Sequence, residues 1–267
     1  MKKIKGFTLL ELIIVMAILA ILMTAIIQMF KPIRETYVDS TFYEARRTTQ
    51  NGIVTYISES VRFSTDLGIY TKDKVTNADG AVKAFTTAYM TANGADPTDS
   101  TLYNSVLDKM KKEAEIIIID NSDYEYRNKT YRGRLLRRKN IGTTLIATEP
   151  EAADLTKNSV RDYWRLAMGA AYYGDSSYTI LLMDPDPAGT PEWTASEGIR
   201  IQVNTLNKTG TATIKNEGLI MCRNQSTDEH GVSKAGMFDT ANYNPTSVIA
   251  PGSKVYMVFT NEKIEIS

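Results

Sequence analysis

The stretch KGFTLLE (residues 5–11) leads into an apolar run of 24 residues, 7–30, in which Glu11 is the one charged residue. A helix rises about 1.5 Å per residue, so this run is about 36 Å long and can cross a hydrocarbon core of about 30 Å. Lys2, Lys3 and Lys5 precede it and favour the cytoplasmic side. The run predicts one membrane span with the residues after Phe30 outside.

Two ordinary explanations account for only part of this segment. A cleaved secretory signal peptide has an apolar region of roughly 7 to 15 residues before a small-residue cleavage site, and this run is longer. A plain signal anchor explains the length but not Glu11. An acidic residue within a span costs roughly 3 kcal/mol and usually has a partner and a function. Both explanations stay open on these residues alone.

A third explanation rests on Gly6, the large apolar Phe7 directly after it, and Glu11 four residues later. This arrangement resembles the processing site of type IV prepilins and type II secretion pseudopilins, over about the first 30 residues. The resemblance implies that a prepilin peptidase cuts between Gly6 and Phe7 on the cytoplasmic side and methylates the new Phe7 amine. It also implies that the apolar helix stays on the protein, and that the fold is a long helix packed on an antiparallel sheet.

The resemblance gives Glu11 a physical role. After cleavage Phe7 carries a cationic amine in or beside the bilayer, and a carboxylate attracts an amine strongly in a low dielectric. Each charge is costly alone and tolerable when paired. We therefore expect Glu11 of one subunit to meet the Phe7 amine of its neighbour and to set the axial register, as a buried polar residue does in a coiled coil. Glu11 is thus a predicted filament-assembly residue.

Composition limits the alternatives for the rest of the chain. The 267 residues carry 31 basic and 31 acidic side chains, so no global charge points to nucleic acid. Cys222 is the single cysteine, which excludes an intrachain disulfide. We predict a leader peptide (1–6), a membrane and filament-core helix (7–30), an amphipathic continuation of that helix (31–66) and a globular head (67–267).

The continuation of the helix follows from spacing. Apolar or small residues recur at steps of three and four: Ile33, Tyr37, Thr41, Ala45, Thr49, Ile53, Tyr56, Ile57, Val61 and Ser64. This pattern predicts helix to about Asp66, with one amphipathic face. Pro32 allows a bend, because proline removes a backbone donor and crowds the preceding turn. A helix of about 90 Å is too long for an isolated small domain and fits a filament subunit.

The head contains short segments separated by turn residues. Residues 69–115 are predicted to be mostly helical or looped, with helices at Ala81–Ala92 and from Asp99 or Ser100 to Glu113, and Ser159–Ala171 is predicted as a further helix. The predicted strands are Ile116–Ile119, Tyr124–Arg127, Tyr131–Arg138, Tyr178–Met183, Gly198–Asn204, Ala212–Lys215, Gly218–Cys222 and Val255–Phe259. Turns or loops are predicted at Asp120–Asp123, Asn128–Thr130, Asp184–Pro187 and Asn224–Gly236. This order indicates an α+β fold with an antiparallel sheet.

One stretch of the head, 127–139, is strongly basic. Its seven cations are Arg127, Lys129, Arg132, Arg134, Arg137, Arg138 and Lys139, with Tyr124, Tyr126 and Tyr131 among or beside them. Basic groups with interleaved aromatic rings can bind single-stranded nucleic acid by charge and stacking. The alternatives are a solvated hairpin or a basic face that pairs with an acidic face of the next subunit. Polyanion binding is therefore a hypothesis here, beside these two.

Other chemistry finds little support. Asp120, Asp123, Asp184 and Asp186 could supply calcium ligands, but D-P-D-P lacks a regular ligand spacing and is explained as a rigid turn. His230 is the single histidine, which makes a catalytic triad improbable. Cys222 lies in an apolar segment, as a packed residue does. We expect no metal site, no cofactor and no enzymatic activity.

The sequence therefore predicts a subunit of a type IV pilus-like filament for adhesion, motility or surface interaction. The long head favours a minor or specialised pilin. The alternatives are a type II secretion pseudopilin, a DNA-uptake pilin that uses 127–139, and a membrane-anchored domain that never polymerises. Expected partners are other pilin subunits, a prepilin peptidase and a membrane assembly platform. The expected location is the cytoplasmic membrane, N-terminus inside, and then an extracellular pilus or a periplasmic or cell-wall pseudopilus.

Overall fold

The computed structural model describes residues 8–71, 75–139, 164–173, 176–183, 199–206, 212–220 and 254–266. Contacts divide the chain into two compact units, Met1–Arg46 and Arg47–Ser267. The predicted subdivision into 7–30, 31–66 and 67–267 remains a prediction, because it follows membrane position and not contacts.

The helices are α1 (Leu9–Val61), α2 (Ala78–Ala92), α3 (Ser100–Glu113) and α4 (Ala170–Tyr173). The strands are β1 (Asp66–Thr71), β2 (Glu115–Tyr126), β3 (Lys129–Lys139), β4 (Arg165–Met168), β5 (Ser177–Met183), β6 (Ile199–Leu206), β7 (Ala212–Ile220) and β8 (Lys254–Thr260). A long N-terminal helix followed by antiparallel sheets confirms the predicted α+β class and is consistent with a pilin-like fold.

The first unit is α1 up to Arg46. From Leu9 to Phe30 its large apolar side chains are 38 to 79 % exposed. This part of the helix is therefore not stabilised by burial of its large apolar side chains among the described residues. Its many Leu, Ile, Met and Ala residues include good helix formers, and a helix satisfies its own backbone hydrogen bonds in lipid.

The second unit contains the C-terminal part of α1 and two sheets. The first sheet has five strands in the order β1-β8-β2-β3-β4, and every neighbouring pair is antiparallel. Its central strand β2 has four buried isoleucines directly after its first residue, Glu115. Successive side chains of a strand point to opposite faces, so Ile116 and Ile118 join one core and Ile117 and Ile119 the other. Both faces of this sheet are covered, which explains the unbroken apolar run.

One face of the five-stranded sheet packs on α1 and the second sheet. The helix contributes Ile53, Ile57 and Val61, which are fully buried and lie at helical spacing. The second sheet is antiparallel in the order β5-β6-β7, and Ile180 and Ile201 bring it into the same core. The amphipathic spacing predicted for this part of α1 is confirmed, but the predicted end near Asp66 is wrong, because the helix ends at Val61 and Asp66 begins β1.

The other face of the five-stranded sheet is covered by α2 and α3. Phe85 and Tyr89 of α2 and Met110 of α3 are buried there, and the Tyr89 hydroxyl donates to the carbonyl of Ile264 at 2.6 Å. Asp99 caps α3 as predicted, because its side chain accepts hydrogen bonds from the first backbone N–H groups of the helix at 2.9 and 3.2 Å.

Two predictions near the start of the sheet are wrong. The residues expected to be mostly helical or looped from 69 onwards begin with β1, which pairs with β8 near the other end of the chain. The turn expected at Asp120–Asp123 is a bulge inside β2, which continues to Tyr126. The partner of β1 is distant in sequence. The polar side chains of the bulge are satisfied by arginines of β3 and, for Asn121, by Ile180 of the second sheet.

Three further predictions meet the structure with mixed results. The helix Ser159–Ala171 is wrong at Arg165–Met168, because β4 pairs with β3 there; its residues 159–163 lie outside the described residues. The two strands predicted between 212 and 222 are one strand, β7, because its polar centre pairs with β6. Cys222 and the loops predicted at 184–187 and 224–236 also lie outside the described residues. The strands β5, β6 and β8 confirm their predictions within two residues at each end.

Candidate functional site

Hydrogen bonds between Thr8 and Glu11 close the first turn of α1. The Thr8 backbone N–H and hydroxyl both donate to Oε2 of Glu11, at 2.9 and 3.0 Å. The Glu11 N–H donates to Thr8 Oγ1 at 3.3 Å. This is a capping box, in which a threonine and a glutamate three residues later satisfy each other's backbone donors. The sequence interpretation missed this role of Glu11, although the spacing T-x-x-E signals it.

The capping box leaves part of the carboxylate available. Both hydrogen bonds use one oxygen, and Oε1 accepts none from the part of the chain that is described. An ionised carboxylate can accept about four hydrogen bonds, so Glu11 retains capacity for a donor from another molecule. Gly6 and Phe7, the predicted cleavage and methylation residues, lie outside the described residues.

The helix behind the capping box has the dimensions of a membrane span. By length and composition, α1 includes a stretch that is long and apolar enough to cross a membrane. This stretch and the capping box together form the candidate functional site of the N-terminal segment.

The basic stretch 127–139 forms the turn and second strand of the β2–β3 hairpin. Arg127 and Asn128 make the two-residue turn, with φ of 51° and 61°, as a tight hairpin turn requires. The predicted hairpin is confirmed, with its turn shifted toward the N-terminus. Arg127, Lys129 and Lys139 are exposed, and the Arg127 guanidinium lies 5.3 Å from the Tyr126 ring centroid.

Two arginines of the stretch pair with acidic residues across the bulge of β2. Arg132 Nε lies 2.6 Å from Asp123 Oδ1. Arg134 Nη2 lies 2.9 Å from Asp120 Oδ2, and both of these side chains are buried. Burial opposes ionisation of Asp120, but the hydrogen bond from Ser122 and the Arg134 charge outweigh it and lower the pKa of Asp120. This pair therefore stays charged inside the protein.

The remaining cations of the stretch also have partners in the second unit. Glu115 lies 2.6 Å from Arg137 Nη2 and 3.2 Å from Lys139 Nζ. Arg137 also donates to Ser60 Oγ at 3.1 Å, which ties β3 to α1. Arg138 is buried, with its guanidinium 5.8 Å from the Trp164 ring centroid. Most of the predicted polyanion-binding cations thus serve contacts inside this unit, and polyanion binding stays a prediction.

The bulge of β2 joins the two sheets through Asn121. Its Nδ2 donates to the carbonyl of Ile180 at 2.9 Å, and the Ile180 N–H donates to its Oδ1 at 2.8 Å. Opposite the bulge, Gly133 has φ of 81°, and a Cβ there would lie 2.1 Å from the Tyr178 carbonyl oxygen. Only glycine fits this position. The sequence interpretation missed this junction, and the polar run at 120–123 was its only signal.

Gln50 joins α1 to the second sheet. Its Nε2 lies 3.0 Å from each of three acceptors on β6 and β7, which are Val203 O, Thr205 Oγ1 and Ile214 O. The side chain is fully buried. The periodicity placed Thr49 on the packed face and missed Gln50, because a glutamine does not register in an apolar pattern.

The calcium alternative finds no assembled site in the residues that are described. Asp120 and Asp123 each face an arginine, and Asp184 and Asp186 lie outside the described ranges. Within those ranges no three His, Cys, Asp or Glu side chains come together as a metal site would require.

Comparison with known protein families finds a match at the N-terminus of the chain. Residues 1–27 match the prokaryotic N-terminal methylation motif. This is the signal motif of type IV pilins and pseudopilins, and it supports that general class for the chain. The motif and the apolar helix suit membrane anchoring before assembly, and the class implies processing by a prepilin peptidase and assembly with other pilin subunits. No curated protein and no solved structure matches the chain.

Proposed function

We propose that this chain is a structural subunit of a type IV pilus-like surface filament for adhesion, motility or surface interaction. One observation carries the proposal: the methylation motif stands at the head of a helix whose large apolar side chains are exposed from Leu9 to Phe30. Exposed apolar area is unfavourable in water by roughly 25 cal/mol per Å². Lipid covers this helix before assembly, and the equivalent helices of neighbouring subunits cover it afterwards.

Processing prepares the helix for that change of environment. Cleavage between Gly6 and Phe7 removes the three leader lysines that hold the N-terminus at the cytoplasmic face. It leaves a methylated amine on Phe7, which keeps a positive charge. The mature chain then begins one residue before Thr8, the N-cap that the structure describes.

Glu11 is the assembly residue of this proposal. Oε2 of Glu11 keeps its hydrogen bonds with Thr8. Oε1 accepts a hydrogen bond from the Phe7 amine of a neighbouring subunit. The pair forms in a low dielectric, where opposite charges attract strongly and an unpaired charge is costly. A subunit would thereby be drawn from lipid into the filament base in one register.

Two other roles within the class remain alternatives. A type II secretion pseudopilin has the same N-terminal chemistry, and it predicts that deletion of this chain blocks secretion of an exoprotein. A DNA-uptake pilin would depend on the exposed cations at the hairpin turn, Arg127 and Lys129. It predicts salt-dependent DNA binding that falls when both are replaced by alanine, and an absence of DNA binding at low ionic strength would exclude it.

Filament isolation tests the proposal. The full chain is expressed with a prepilin peptidase and an assembly system, and filaments are sheared from the cells and separated from membranes. We expect the processed chain in the filament fraction and the Gly6→Leu variant, still carrying its leader, in the membrane fraction. A wild-type chain that is never found in filaments would contradict the proposal and favour a membrane-anchored domain.

A further inference from the structure

Four polar residues lie on one side of α1 where the apolar run ends. They are Thr24, Gln28, Lys31 and Glu35, and all four are exposed. Their spacing of four, three and four residues is that of a coiled-coil seam, in which every seventh residue returns to the same line. We call these four residues the polar seam. A seam of this spacing is the surface that one helix presents to another helix running alongside it.

The polar seam is left without partners inside the described part of its own chain. There the Gln28 amide, the Lys31 ammonium and the Glu35 carboxylate make no hydrogen bond or ion pair. Lys31 and Glu35 are four residues apart, but lysine before glutamate is the weaker order for a pair within one helix. The Thr24 hydroxyl donates to the carbonyl of Ala20 at 2.8 Å, and its lone pairs can still accept.

Gln28 makes a partner necessary. It lies inside the apolar run, where a polar group without a hydrogen bond is costly. Amides in such segments hydrogen-bond across helices and hold them together. Lipid tails offer Gln28 no donor or acceptor, whereas a neighbouring helix does.

We propose that the polar seam binds a second, parallel copy of this chain that is displaced by four residues, about 6 Å along the helix axis. In that register Gln28 Nε2 of one copy donates to Thr24 Oγ1 of the next. Glu35 of the first copy then accepts from the Lys31 ammonium of the second. One displacement thus satisfies both the amide and the two charges.

The charges of Lys31 and Glu35 favour a displacement of four residues over no displacement. Without an offset, each Lys31 would face another Lys31 and each Glu35 another Glu35, and like charges side by side are destabilising. An offset of four pairs opposite charges. Glu11 follows Phe7 by the same four residues, so one displacement serves both contacts. The inference therefore rests on the proposed filament and extends its register from the base to the membrane exit.

Mixed filaments separate this contact from a contact within one helix. Lys31→Glu and Glu35→Lys each place like charges opposite one another in a filament of that variant alone. We expect each to lower filament yield about fivefold, the effect of roughly 1 kcal/mol. When the two variants are co-expressed, Glu35 of one faces Lys31 of the other and the introduced charges also pair. Yield should return toward wild type in the mixture.

A charge-matched variant and the wild-type chain serve as controls for the filament yields. Glu44→Lys changes the charge by the same amount at an exposed position off the heptad line of the seam, and it should leave the yield near wild type. If the mixture assembles no better than either variant alone while wild type assembles, the second-copy register is overturned and another subunit type is the occupant. If wild type is absent from filaments, the proposed function is overturned, and the register with it.

Cross-linking tests the amide pair in the same filaments, in a Cys222→Ser background. Thr24→Cys chains are mixed with tagged Gln28→Cys chains, and a mild oxidant is added. We expect disulfide dimers in the mixture and few in either variant alone. The control mixture, Leu22→Cys with Ile26→Cys, has the same spacing off the seam and should give few dimers. Equal yields from both mixtures, or dimers from the control alone, would overturn the register.

Discussion

The side-chain amide of Asn121 satisfies both backbone groups of Ile180: Nδ2 donates to the carbonyl at 2.9 Å and Oδ1 accepts from the N–H at 2.8 Å. Asn121 belongs to the five-stranded sheet and Ile180 to the three-stranded sheet. The side-chain amide of Asn121 therefore makes the two hydrogen bonds that a backbone partner would make in a sheet, and it links two strands of different sheets. Both groups are buried, so neither can turn to water if the contact is lost.

Replacement of Asn121 tests this junction. Asn121→Leu keeps the branched shape of the side chain but leaves the N–H and the carbonyl of Ile180 without partners. An unsatisfied buried group costs about 1 to 3 kcal/mol, so we expect a loss of about 2 to 5 kcal/mol in the free energy of unfolding. Urea unfolding of the full chain in detergent, followed by tryptophan fluorescence, measures it. Asn216→Ala, which removes a surface amide contact to Asn51, should change stability by less than about 0.5 kcal/mol. Equal effects would contradict the assignment.

Gly133 and Gly94 have similar backbone conformations but different surroundings, so substitutions at the two positions can be compared directly. Both have positive φ, 81° and 73°, but a Cβ at Gly133 would meet the Tyr178 carbonyl oxygen at 2.1 Å, whereas a Cβ at Gly94 has nothing within 4 Å. Gly94→Ala should cost about 1 kcal/mol, the strain of the left-handed conformation alone. Gly133→Ala should cost several kcal/mol or prevent folding, since β5 must move away. Thermal unfolding and soluble yield compare them, and a Gly133→Ala protein as stable as Gly94→Ala would disprove the close approach.

Acid should weaken the Asp120–Arg134 pair. The pKa of Asp120 is lowered in the folded protein, and an unfolded aspartate titrates near pH 3.9. The folded state therefore binds this proton more weakly, and the stability contributed by Asp120 is present above about pH 4 and declines as the pH falls further. Stability measured between about pH 6 and pH 3 should fall more steeply in wild type than in Asp120→Asn. Parallel pH profiles would contradict this.

Glu11 has two separable roles, and two substitutions distinguish them. Glutamine can complete a capping box but carries no charge, while alanine removes both. If the charge pairs with a neighbour's amine, Glu11→Gln and Glu11→Ala should both insert and be processed, yet both should be depleted from filaments. Immunoblots of sheared filaments and of membranes measure this distribution. Normal incorporation of Glu11→Gln would show that Glu11 acts only as a cap.

Local patterns predict α1, α2 and α3, whereas the helix predicted at Ser159–Ala171 is wrong at β4. The seven-residue motif and the apolar run after it indicate the membrane helix, and the spacing of Ile53, Ile57 and Val61 predicts its packed continuation. The cap at Asp99 is likewise a local signal, because a side-chain oxygen next to the free N–H groups of a helix needs no distant partner.

The parts that depend on distant residues could not be predicted from such patterns. β1 is a strand because β8 lies beside it, and Asp120–Asp123 stays in the sheet because Arg134 and Ile180 satisfy its side chains. The same holds for the basic stretch. Seven cations in 13 residues indicate a charged surface, but their acidic partners are on β2, and only the strand register brings them together.

The mass of the mature N-terminus shows whether the N-terminal motif is processed, the step on which the proposed filament assembly depends. Intact-mass and peptide mass spectrometry of the chain from cells with a prepilin peptidase should show a protein that begins at Phe7 with one added methyl group. A chain that begins at Met1, one that begins elsewhere, or an unmethylated Phe7 would contradict processing by a prepilin peptidase at this motif. A methylated Phe7 in the Gly6→Leu variant would contradict the assigned cleavage site.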